Sequence, residues 1–250
     1  MSSGLIIVTG GARGIGAATC KRLAADGYSI AVNYASDAKA AAATVAAIEA
    51  AGGRAQAFQA DVADSEALAK LFDEAISALG PLVGLVNNAG VDGSPARVDE
   101  REAEELKRLF QVNVIATILA CKHAVLRLST RHGGQGGAIV NISSIAARLG
   151  GLTGLASYAA TKGAVESFTR GLANEVGPEG VRVNAVAPGM TETDMTTGLL
   201  ASPGFRERIV SMTPLGRVGL PSEIAEAVAW LISPAASFVT GAVVTASGGR

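Results

Sequence analysis

Residues 5–16 read LIIVTGGARGIG, a short apolar run that enters a turn with four glycines. The run from Leu5 to Thr9 predicts a buried strand, and the pattern from Ile15 to Asp26 predicts a helix. Glycines let the backbone approach a ligand closely, and the free N–H groups at a helix start attract an anion such as a pyrophosphate. We therefore expect a phosphate-binding turn at the start of a βαβ unit.

The same alternation of strand and helix continues along the chain. Further strands are predicted at Ser29 to Tyr34, Ala55 to Ala60, Leu82 to Asn87, Ala138 to Ile142, Val181 to Val186 and Val243 to Ala246. Helices are predicted at Asp37 to Ala51, Ser65 to Leu79, Glu100 to Arg131, Ser157 to Val176 and Pro221 to Leu231. Strands that are apolar throughout are typical of a parallel sheet covered on both faces. We expect an α/β fold, a single doubly wound parallel sheet of the Rossmann type with helices on both faces, in one domain of residues 1–250.

Composition excludes several classes of partner. The 250 residues are 49% hydrophobic and carry a formal net charge of -1, and the scattered lysines and arginines provide no basic surface for nucleic acid. Asn113 and Lys122 interrupt the richest apolar stretch, so no run is expected to reach the 18 or so residues that span a bilayer. The first residues show no signal-peptide pattern. The expectation is a cytoplasmic protein with neither a membrane nor a nucleic-acid partner.

Cysteine and histidine usage argues against a metal site. Cys20 and Cys121 are the only cysteines, and their separation suggests neither a disulfide framework nor metal ligation. His123 and His132 are too few and too poorly spaced for zinc or for a histidine-dependent triad. Any acid–base chemistry is therefore expected to use another residue type.

Tyr158 and Lys162 lie four residues apart within SYAATKG, residues 157–163. On a helix this spacing places both side chains on one face. A nearby cation typically lowers a phenol pKa by about 1 to 3 units from its usual value near 10. Two helix residues could share this spacing without a function, but the pair predicts a tyrosine that exchanges protons at neutral pH.

The end of the second predicted strand bears on the choice of cofactor. In dinucleotide-binding folds an acidic residue there binds the ribose 2′-hydroxyl and excludes a 2′-phosphate. Here residues 32–36 read VNYAS without a carboxylate, and Arg13 in the glycine turn could face a phosphate. Asn33 and Ser36 are the candidate contacts at this strand end. The charges favour NADP(H), while the proximity of Asp37 leaves NAD(H) possible.

Several motifs, taken together and in order, closely resemble the short-chain dehydrogenase/reductase family. They are Thr9-Gly10 to Gly14-Ile15-Gly16, Asn87-Asn88-Ala89-Gly90, Asn113, Ile142-Ser143-Ser144, Tyr158 with Lys162, and Pro188-Gly189. Within the family, Pro214 to Arg217 with Pro221 and the closing Thr240-Gly241 to Gly249 look most like bacterial 3-oxoacyl-carrier-protein reductases and glucose-dehydrogenase-like members. The resemblance spans nearly the whole chain.

This resemblance implies four catalytic residues. Tyr158 would be the general acid that protonates a carbonyl oxygen, or the base in the reverse direction. Lys162 would bind the nicotinamide ribose and lower the pKa of the phenol. Ser144 would hydrogen-bond the substrate oxygen, although Ser143 beside it could be confused with it, and Asn113 would hold a water in the proton relay.

The resemblance also implies the residues that contact the cofactor. These are Gly10, Arg13, Gly14, Ile15, Gly16, Asn33, Ser36, Asp61, Val62, Asn87, Ala89, Gly90, Tyr158, Lys162, Pro188, Gly189 and Thr191. Asp61 would accept a hydrogen bond from the adenine amino group, with a helix cap as the alternative. Asn87 is the less certain of the pair Asn87-Asn88. No metal site is expected.

The predicted function is a hydride transfer between NADP(H) and a carbonyl or secondary alcohol. The alternative is a non-catalytic dinucleotide-binding regulator or scaffold, and a methyltransferase of the same fold class would leave the pairing of Tyr158 with Lys162 unexplained. Residues 189–219 are expected to form a binding loop or lid. Its apolar residues favour a partly apolar substrate, although buried core contacts would look the same; they are Met190, Met195, Leu199, Leu200, Phe205 and Ile209. Acyl thioesters, sugars, steroids and small ketones remain open.

A homotetramer is expected from two long predicted helices. Glu100 to Arg131 and Ser157 to Val176 carry apolar residues on more than one face, and the family uses these helices for a subunit contact. The C-terminal strand that ends at Ala246 offers a second patch. Two distinct self-complementary patches produce four chains.

Overall fold

The computed structural model describes residues 4–250. Within them the strands form one seven-stranded parallel sheet in the order β3-β2-β1-β4-β5-β6-β7. The strands are β1 Leu5–Val8, β2 Ser29–Tyr34, β3 Arg54–Gln59, β4 Leu82–Asn87, β5 Gly137–Ile142, β6 Val181–Pro188 and β7 Val243–Ala246. The strand order reverses direction between β1 and β4, which is where ligands bind in folds of this kind. The predicted fold class is confirmed.

Helices cover both faces of the sheet. They are α1 Gly14–Ala25, α2 Ala38–Ala50, α3 Ser65–Leu79, α4 Ala103–Phe110, α5 Ala116–Leu128, α6 Ala146–Leu149, α7 Ala156–Val176, α8 Asp194–Leu200, α9 Phe205–Ser211 and α10 Pro221–Ile232. Short 3-10 turns lie at Val98–Glu100, Thr130–His132, Gly177–Glu179 and Pro234–Ala236.

The central strand β1 is apolar throughout because each face of the sheet has its own core, whereas the edge strand β3 alternates buried and exposed residues. On β1, Leu5 and Ile7 belong to the core under α3, α5 and α7, while Ile6 and Val8 belong to the core under α1, α2 and α10. Side chains on a strand alternate between the faces, so a strand between two cores has no polar position.

The predicted helix from Glu100 to Arg131 is wrong at both ends and in the middle. The α-helix begins only at Ala103 and ends at Leu128, and a π-helical turn at Gln111–Ile115 separates α4 from α5. A π turn holds one more residue than an α turn, and such turns often occur at functional sites. The carbonyl oxygen of Asn113, in this turn, accepts a hydrogen bond from the Thr117 hydroxyl at 3.0 Å.

The segment 189–219 is more regular than the sequence indicated. It contains α8 and α9, and α8 begins with a capping box in which the Thr196 hydroxyl accepts from the Thr193 N–H at 3.0 Å. Helices of seven residues are too short for a clear periodic pattern. The four-residue helix α6 was not predicted for the same reason.

One helical segment passes the length and composition test for a membrane span. Ala103–Leu128 contains an 18-residue window with a mean hydropathy of 1.6, of which 44% is buried inside the fold. Asn113 and Lys122 therefore do not interrupt the segment as the sequence analysis expected. The test is weak, since buried core helices pass it too. The expectation of no membrane partner stays a prediction.

Candidate active site

A cavity of about 670 Å³ lies at the carboxyl ends of the strands. Its walls come from the segments that follow β1, β2, β3, β4, β5 and β6, together with α8 and the chain terminus. Its position at the β1–β4 switch point agrees with the binding site of doubly wound folds. The candidate residues from distant parts of the sequence therefore meet in one place.

The glycine turn forms the bottom of one end of this cavity. Gly10 has a φ of +61°, and a Cβ there would lie 3.0 Å from the Cα of Ala89. A Cβ on Gly16 would collide with the carbonyl oxygen of Gly10. Arg13 is the N-cap of α1 but provides no side-chain cap, so the first N–H groups of the helix have no such partner. These features fit a pyrophosphate bound at the helix start.

Neutral polar side chains fix the shape of this turn. The Asn88 amide donates to the carbonyl oxygens of Thr9 and Gly10 at 3.0 and 2.9 Å, and the Thr9 hydroxyl accepts from the Asn88 N–H at 3.0 Å. The Asn33 amide accepts from the Gly10 N–H at 3.2 Å and donates to the Ala60 carbonyl at 3.0 Å. Asn88 and Asn33 thus tie together the segments after β1, β2, β3 and β4.

Asn87 is placed away from the cavity. Its amide is buried and donates to the Asn141 Oδ1 at 2.9 Å and to the Cys121 Sγ at 3.3 Å. Of the predicted cofactor contacts, only Asn87 and Gly16 do not line the cavity. Their contact with the cofactor stays a prediction. Gly16 allows the close approach of the Gly10 carbonyl oxygen to α1, which a side chain would prevent.

Arg13 lies between two carboxylates at the far end of the cavity. Its guanidinium is 3.9 Å from the Asp37 Oδ2 and 3.7 Å from the Asp194 Oδ2, and its side chain is 63% exposed. Asp37 also caps α2, because its Oδ1 accepts from the Ala40 N–H at 2.9 Å. Ser36 lines the same end. The guanidinium is therefore accessible to an anion from solvent.

Asp61 does not cap α3, whose N-cap is Asp64, and its contact with an adenine stays a prediction. Its Oδ1 accepts from the Ala63 N–H at 2.9 Å, and its Oδ2 lies 3.3 Å from the Arg108 guanidinium. Asp61, Val62 and Arg108 all line the cavity. The carboxylate is thus fixed by local hydrogen bonding and still faces the site.

Tyr158 and Lys162 lie on one face of α7, as their spacing predicts. The Lys162 Nζ is 5.7 Å from the centroid of the Tyr158 ring and donates to the Ile142 carbonyl at 2.8 Å. The Lys162 side chain is buried, and burial lowers the pKa of its ammonium to about 8. The ammonium thus has one carbonyl partner and a desolvated position.

The expected acidification of the phenol is not found in the protein alone. Burial raises the pKa of Tyr158 to about 12, the Ser144 hydroxyl lowers it in part, and the charge of Asp92 raises it further. The Lys162 ammonium lies over the ring and donates to the Ile142 carbonyl, and burial is the largest influence on the pKa of the phenol. The four-residue spacing alone therefore does not determine the pKa of the phenol.

The two serines after β5 have different roles. The Ser143 hydroxyl is directed toward α7, where it donates to the Glu166 Oε1 at 3.0 Å and to the Lys162 carbonyl at 3.4 Å. The Ser144 hydroxyl accepts from the Ala146 N–H at 3.1 Å. Its hydrogen bond with the Tyr158 phenol acts to lower the pKa of that phenol. The geometry therefore favours Ser144 over Ser143 as the residue that faces a substrate.

Asn113 is buried behind the cavity wall. Its amide accepts from the Val91 N–H at 2.9 Å and donates to the Val91 carbonyl at 2.8 Å and to the Thr161 hydroxyl at 3.0 Å. A Cβ on Gly90 would lie 3.3 Å from the Asn113 Oδ1 and 3.5 Å from the Lys162 Nζ. Asn113 therefore joins the segment after β4 to α7 next to the lysine.

The other end of the cavity is apolar, with two charged exceptions. Its apolar lining consists of Leu149, Leu152, Leu155, Met190, Met195 and Leu199. Asp92 and Arg250 also line it, and the sequence analysis named neither. Asp92 follows Gly90 by two residues, so its position after a motif-bearing strand was a usable signal. Arg250 had none, because its location depends on how the chain terminus folds back.

Comparison with known proteins agrees with this geometry. A family model described as Enoyl-(Acyl carrier protein) reductase matches residues 10–250. The chain belongs to the short-chain dehydrogenase/reductase family. It is 42% identical over 246 residues to an Escherichia coli protein named uncharacterized oxidoreductase YgfF, covering 98% of this chain and 99% of that protein. It is 38% identical over 250 residues to a 3-oxoacyl-[acyl-carrier-protein] reductase of Synechocystis, covering 100% of this chain and 97% of that protein.

A solved structure supports the same assignment. The short-chain dehydrogenase of Burkholderia cenocepacia, crystallised in complex with NADP, is 40% identical with a TM-score of 0.88. The match covers 98% of this chain and 96% of that one. This short-chain dehydrogenase/reductase is therefore an oxidoreductase, as predicted, and the alternative of a non-catalytic regulator is not supported.

Proposed function

We propose that this short-chain dehydrogenase/reductase transfers a hydride between NADP(H) and a carbonyl or secondary alcohol on a largely apolar substrate, with Tyr158 as the acid–base residue. One observation carries the assignment. The Tyr158 phenol and the Ser144 hydroxyl line the same cavity as the glycine turn, with Lys162 buried beside the phenol. The glycine turn proposed to bind the cofactor and the tyrosine proposed to donate the proton thus line one cavity.

NADP(H) is the proposed cofactor, and NAD(H) is the alternative. Arg13 supports this choice because its guanidinium is accessible and lies where β2 provides no carboxylate at its tip. The related structure from B. cenocepacia contains NADP. The residues proposed to hold the cofactor are Gly10, Arg13, Gly14, Ile15, Asn33, Ser36, Asp61, Val62, Ala89, Gly90, Pro188, Gly189 and Thr191, all of which line the cavity. When bound, the cofactor supplies the hydride for the carbonyl carbon.

Four side chains bind and orient the substrate and cofactor and transfer the proton. Ser144 hydrogen-bonds the substrate oxygen, since a hydroxyl can donate to a carbonyl and accept from an alcohol. Tyr158 donates its proton to that oxygen in the direction of reduction. Lys162 holds a ribose hydroxyl and supplies positive charge beside the phenol. Asn113 keeps the segment after β4 against α7, next to Lys162.

The lining of the cavity supports a substrate with an apolar body. Leucine and methionine side chains surround the end near Tyr158, and this favours acyl chains and steroids over sugars. The relative from Synechocystis is named a 3-oxoacyl reductase, which agrees with an acyl substrate. The segment with α8 and α9 contributes Met195 and Leu199 to this end, so it acts as a lid.

A homotetramer in the cytoplasm is the proposed assembly and location. The α5 helix leaves Ile118 and Leu126 38% and 44% exposed, although other residues of this helix pack in the core. Trp230 and Phe238, near the C-terminal strand, are also exposed, which supplies a second apolar patch. Two separate patches on one chain support four subunits. We treat residues 1–250 as one domain.

A panel of carbonyl compounds with NADPH tests the proposed activity. The panel contains an acyl thioester, a steroid ketone, a keto sugar and a cyclic ketone, and the loss of nicotinamide absorbance is followed. Reduction of an apolar ketone or thioester, with little reduction of the sugar, is expected. If no compound in the panel is reduced with either NADPH or NADH, the proposed function fails.

A further inference from the structure

Asp92 is a charged side chain in an otherwise apolar part of the cavity. It is half-buried and lines the same cavity as Leu152 and Leu155. Among residues 4–250 its carboxylate has neither an ion-pair partner nor a hydrogen-bond donor. A carboxylate can only accept hydrogen bonds, so a group that pairs with it must be a donor or a cation. An unpaired carboxylate inside a substrate cavity therefore points to a partner on the ligand.

The carboxylate lies near the reacting end of the cavity. Burial chiefly raises the pKa of Tyr158, and the negative charge of Asp92 adds to this rise, so the two side chains are close enough to interact. Burial alone lowers the pKa of Lys162, which indicates that the ammonium does not neutralise Asp92. Asp92 and Tyr158 line the same cavity, so a substrate bound next to the phenol would lie in a site that also contains this negative charge.

Asp92 also has a fixed position. On one side of it, the backbone of Val91 is held by the Asn113 amide at 2.9 and 2.8 Å. On the other side, the Ser94 N–H donates to the Glu105 Oε1 at 2.8 Å, and the Ser94 carbonyl accepts from the Arg101 guanidinium at 2.7 Å. The backbone on both sides of Asp92 is therefore held in place.

Arg101 connects the segment that carries Asp92 to the segment around Gly154 on the opposite side of the cavity. Its side chain is 5% exposed, pairs with Glu105 at 3.1 Å and donates to the Gly154 carbonyl at 2.8 Å. The Ala96 N–H donates to the same carbonyl at 3.1 Å. The segment that carries Asp92 and the segment that carries Leu152 and Leu155 are thus held together.

We propose that Asp92 is a specificity-determining residue, which binds a hydroxyl or ammonium donor on the substrate close to the reacting carbonyl and excludes substrates with a carboxylate there. The proposal rests on the proposed function and names the substrate class of that site. A donor satisfies the unpaired carboxylate, whereas a substrate anion meets a like charge in a partly desolvated place. The favoured substrates are neutral or cationic apolar carbonyl compounds that carry one such donor.

Arg250 is the other charged residue at this end, and its positive charge would favour substrates of the opposite charge. Its carbonyl oxygen accepts from the Ser247 hydroxyl at 2.7 Å and from the Arg148 guanidinium at 3.2 Å, which holds the chain terminus at the cavity. If Arg250 decided the selection, the wild-type enzyme would favour anionic substrates. The sign of the charge preference therefore distinguishes Asp92 from Arg250.

Two matched pairs of ring ketones test the proposal. The first is 4-oxocyclohexanecarboxylate and its methyl ester, which differ in charge, and the second is 4-hydroxycyclohexanone and 4-methylcyclohexanone, which differ in a donor. Reduction is measured as kcat/KM with NADPH. The wild type is expected to favour the ester and the hydroxy ketone, and Asp92→Asn should raise the acid-to-ester ratio by about tenfold or more. Asp99→Asn removes an exposed carboxylate of the same segment, which pairs with Arg97 at 3.1 Å, and should leave both ratios unchanged.

Asp92→Asn could also change the rate by altering the pKa of the Tyr158 phenol. Such a change affects both ketones of a pair alike, so the ratio of their kcat/KM values reports only the selection between substrates. An acid-to-ester ratio that is the same in wild type and Asp92→Asn overturns the inference while the reductase activity stands. A wild-type preference for the acid overturns it in favour of Arg250. Failure to reduce any of the four ketones, together with the wider panel, refutes the proposed function and this inference with it.

Discussion

The ammonium of Lys162 lies 5.7 Å from the centre of the Tyr158 ring and hydrogen-bonds to the Ile142 carbonyl at the end of β5. The lysine is thus anchored to the sheet, while the tyrosine lines the cavity on the same face of α7. Because burial raises the phenol pKa to about 12 and lowers the ammonium pKa to about 8, the phenol is neutral at pH 7 while the ammonium remains mostly charged. The positive charge of Lys162 is therefore present beside the phenol at neutral pH.

Tyr158→Phe is expected to reduce kcat by at least about 100-fold with little change in the Kd of NADPH. General acid catalysis contributes roughly 10² to 10⁴ in rate, and the phenylalanine ring fills the same space. Steady-state kinetics and cofactor fluorescence measure the two quantities. Tyr28→Phe, remote from the cavity, is the control, and near wild-type turnover in Tyr158→Phe would remove the tyrosine from the mechanism.

Arg13→Ala is expected to reduce the preference for NADPH over NADH by about tenfold to a hundredfold. One charge-assisted hydrogen bond to a phosphate contributes roughly 1.5 to 3 kcal/mol, and NADH lacks that phosphate. The ratio of kcat/KM for the two cofactors measures the effect. Arg22→Ala, whose ion pairs with Asp26 and Glu226 lie outside the cavity, serves as the control. A wild-type preference for NADH would contradict our interpretation of the β2 end.

The stability of Lys162→Met relative to wild type should depend on pH between about 8 and 10. Burial lowers the lysine pKa from 10.5 to about 8, so in this window the unfolded chain binds more protons than the folded one, and wild-type stability rises with pH. Below pH 8 the buried charge costs up to roughly 3 kcal/mol, which the methionine avoids. The Tm of the variant minus that of wild type should therefore fall as pH rises through the window. A constant difference would show that the ammonium is not desolvated.

Arg101→Met should lower the free energy of unfolding by about 1 to 3 kcal/mol, because Glu105 loses its ion-pair partner and the carbonyl groups of Ser94 and Gly154 each lose a charged donor. The KM of the best substrate should rise as well, since the two walls of the cavity separate. Denaturant unfolding and steady-state kinetics measure these effects. Arg97→Ala removes an exposed pair with Asp99 and should change stability by less than about 1 kcal/mol. Equal effects of the two variants would refute the support that we assign to Arg101.

The chain is expected to have the mass of a tetramer of 25.0 kDa subunits in light scattering at micromolar concentration. Ile118→Glu places a charge on the exposed face of α5 and should reduce the mass to that of a smaller assembly. Lys70→Glu, on the exposed surface of α3, controls for the added negative charge. A wild-type mass near 25.0 kDa would refute the tetramer.

Local patterns predicted most of this molecule. Apolar runs and glycine turns identified the seven strands, because a strand such as β1 that lies between two cores shows its burial directly in its sequence. The spacing of Tyr158 and Lys162 likewise predicted their shared face. The π turn around Asn113 was missed, because the contact of Asn113 with Val91 joins segments that are distant in the sequence. Local sequence carries no mark of such packing.

Electrostatic properties were the least predictable. The pKa of Tyr158 depends on burial, on Ser144 and on Asp92, which come together only in the folded cavity. The roles of Asn87 and Asn88 could not be separated from the sequence, because successive residues at a strand end point to opposite sides. Which of them reaches the glycine turn was decided by the register of β1 against β4.

The glycine turn is held by Thr9, Asn33 and Asn88, none of which titrates in the physiological range. Its shape should therefore be the same in acid and in base, and in dilute buffer and in concentrated salt. The two ion pairs of Arg13 at the same end are exposed and longer than 3.5 Å, so dissolved ions screen them readily. Ionic strength should thus alter how strongly an anionic ligand is attracted to this end without altering the surface on which it rests.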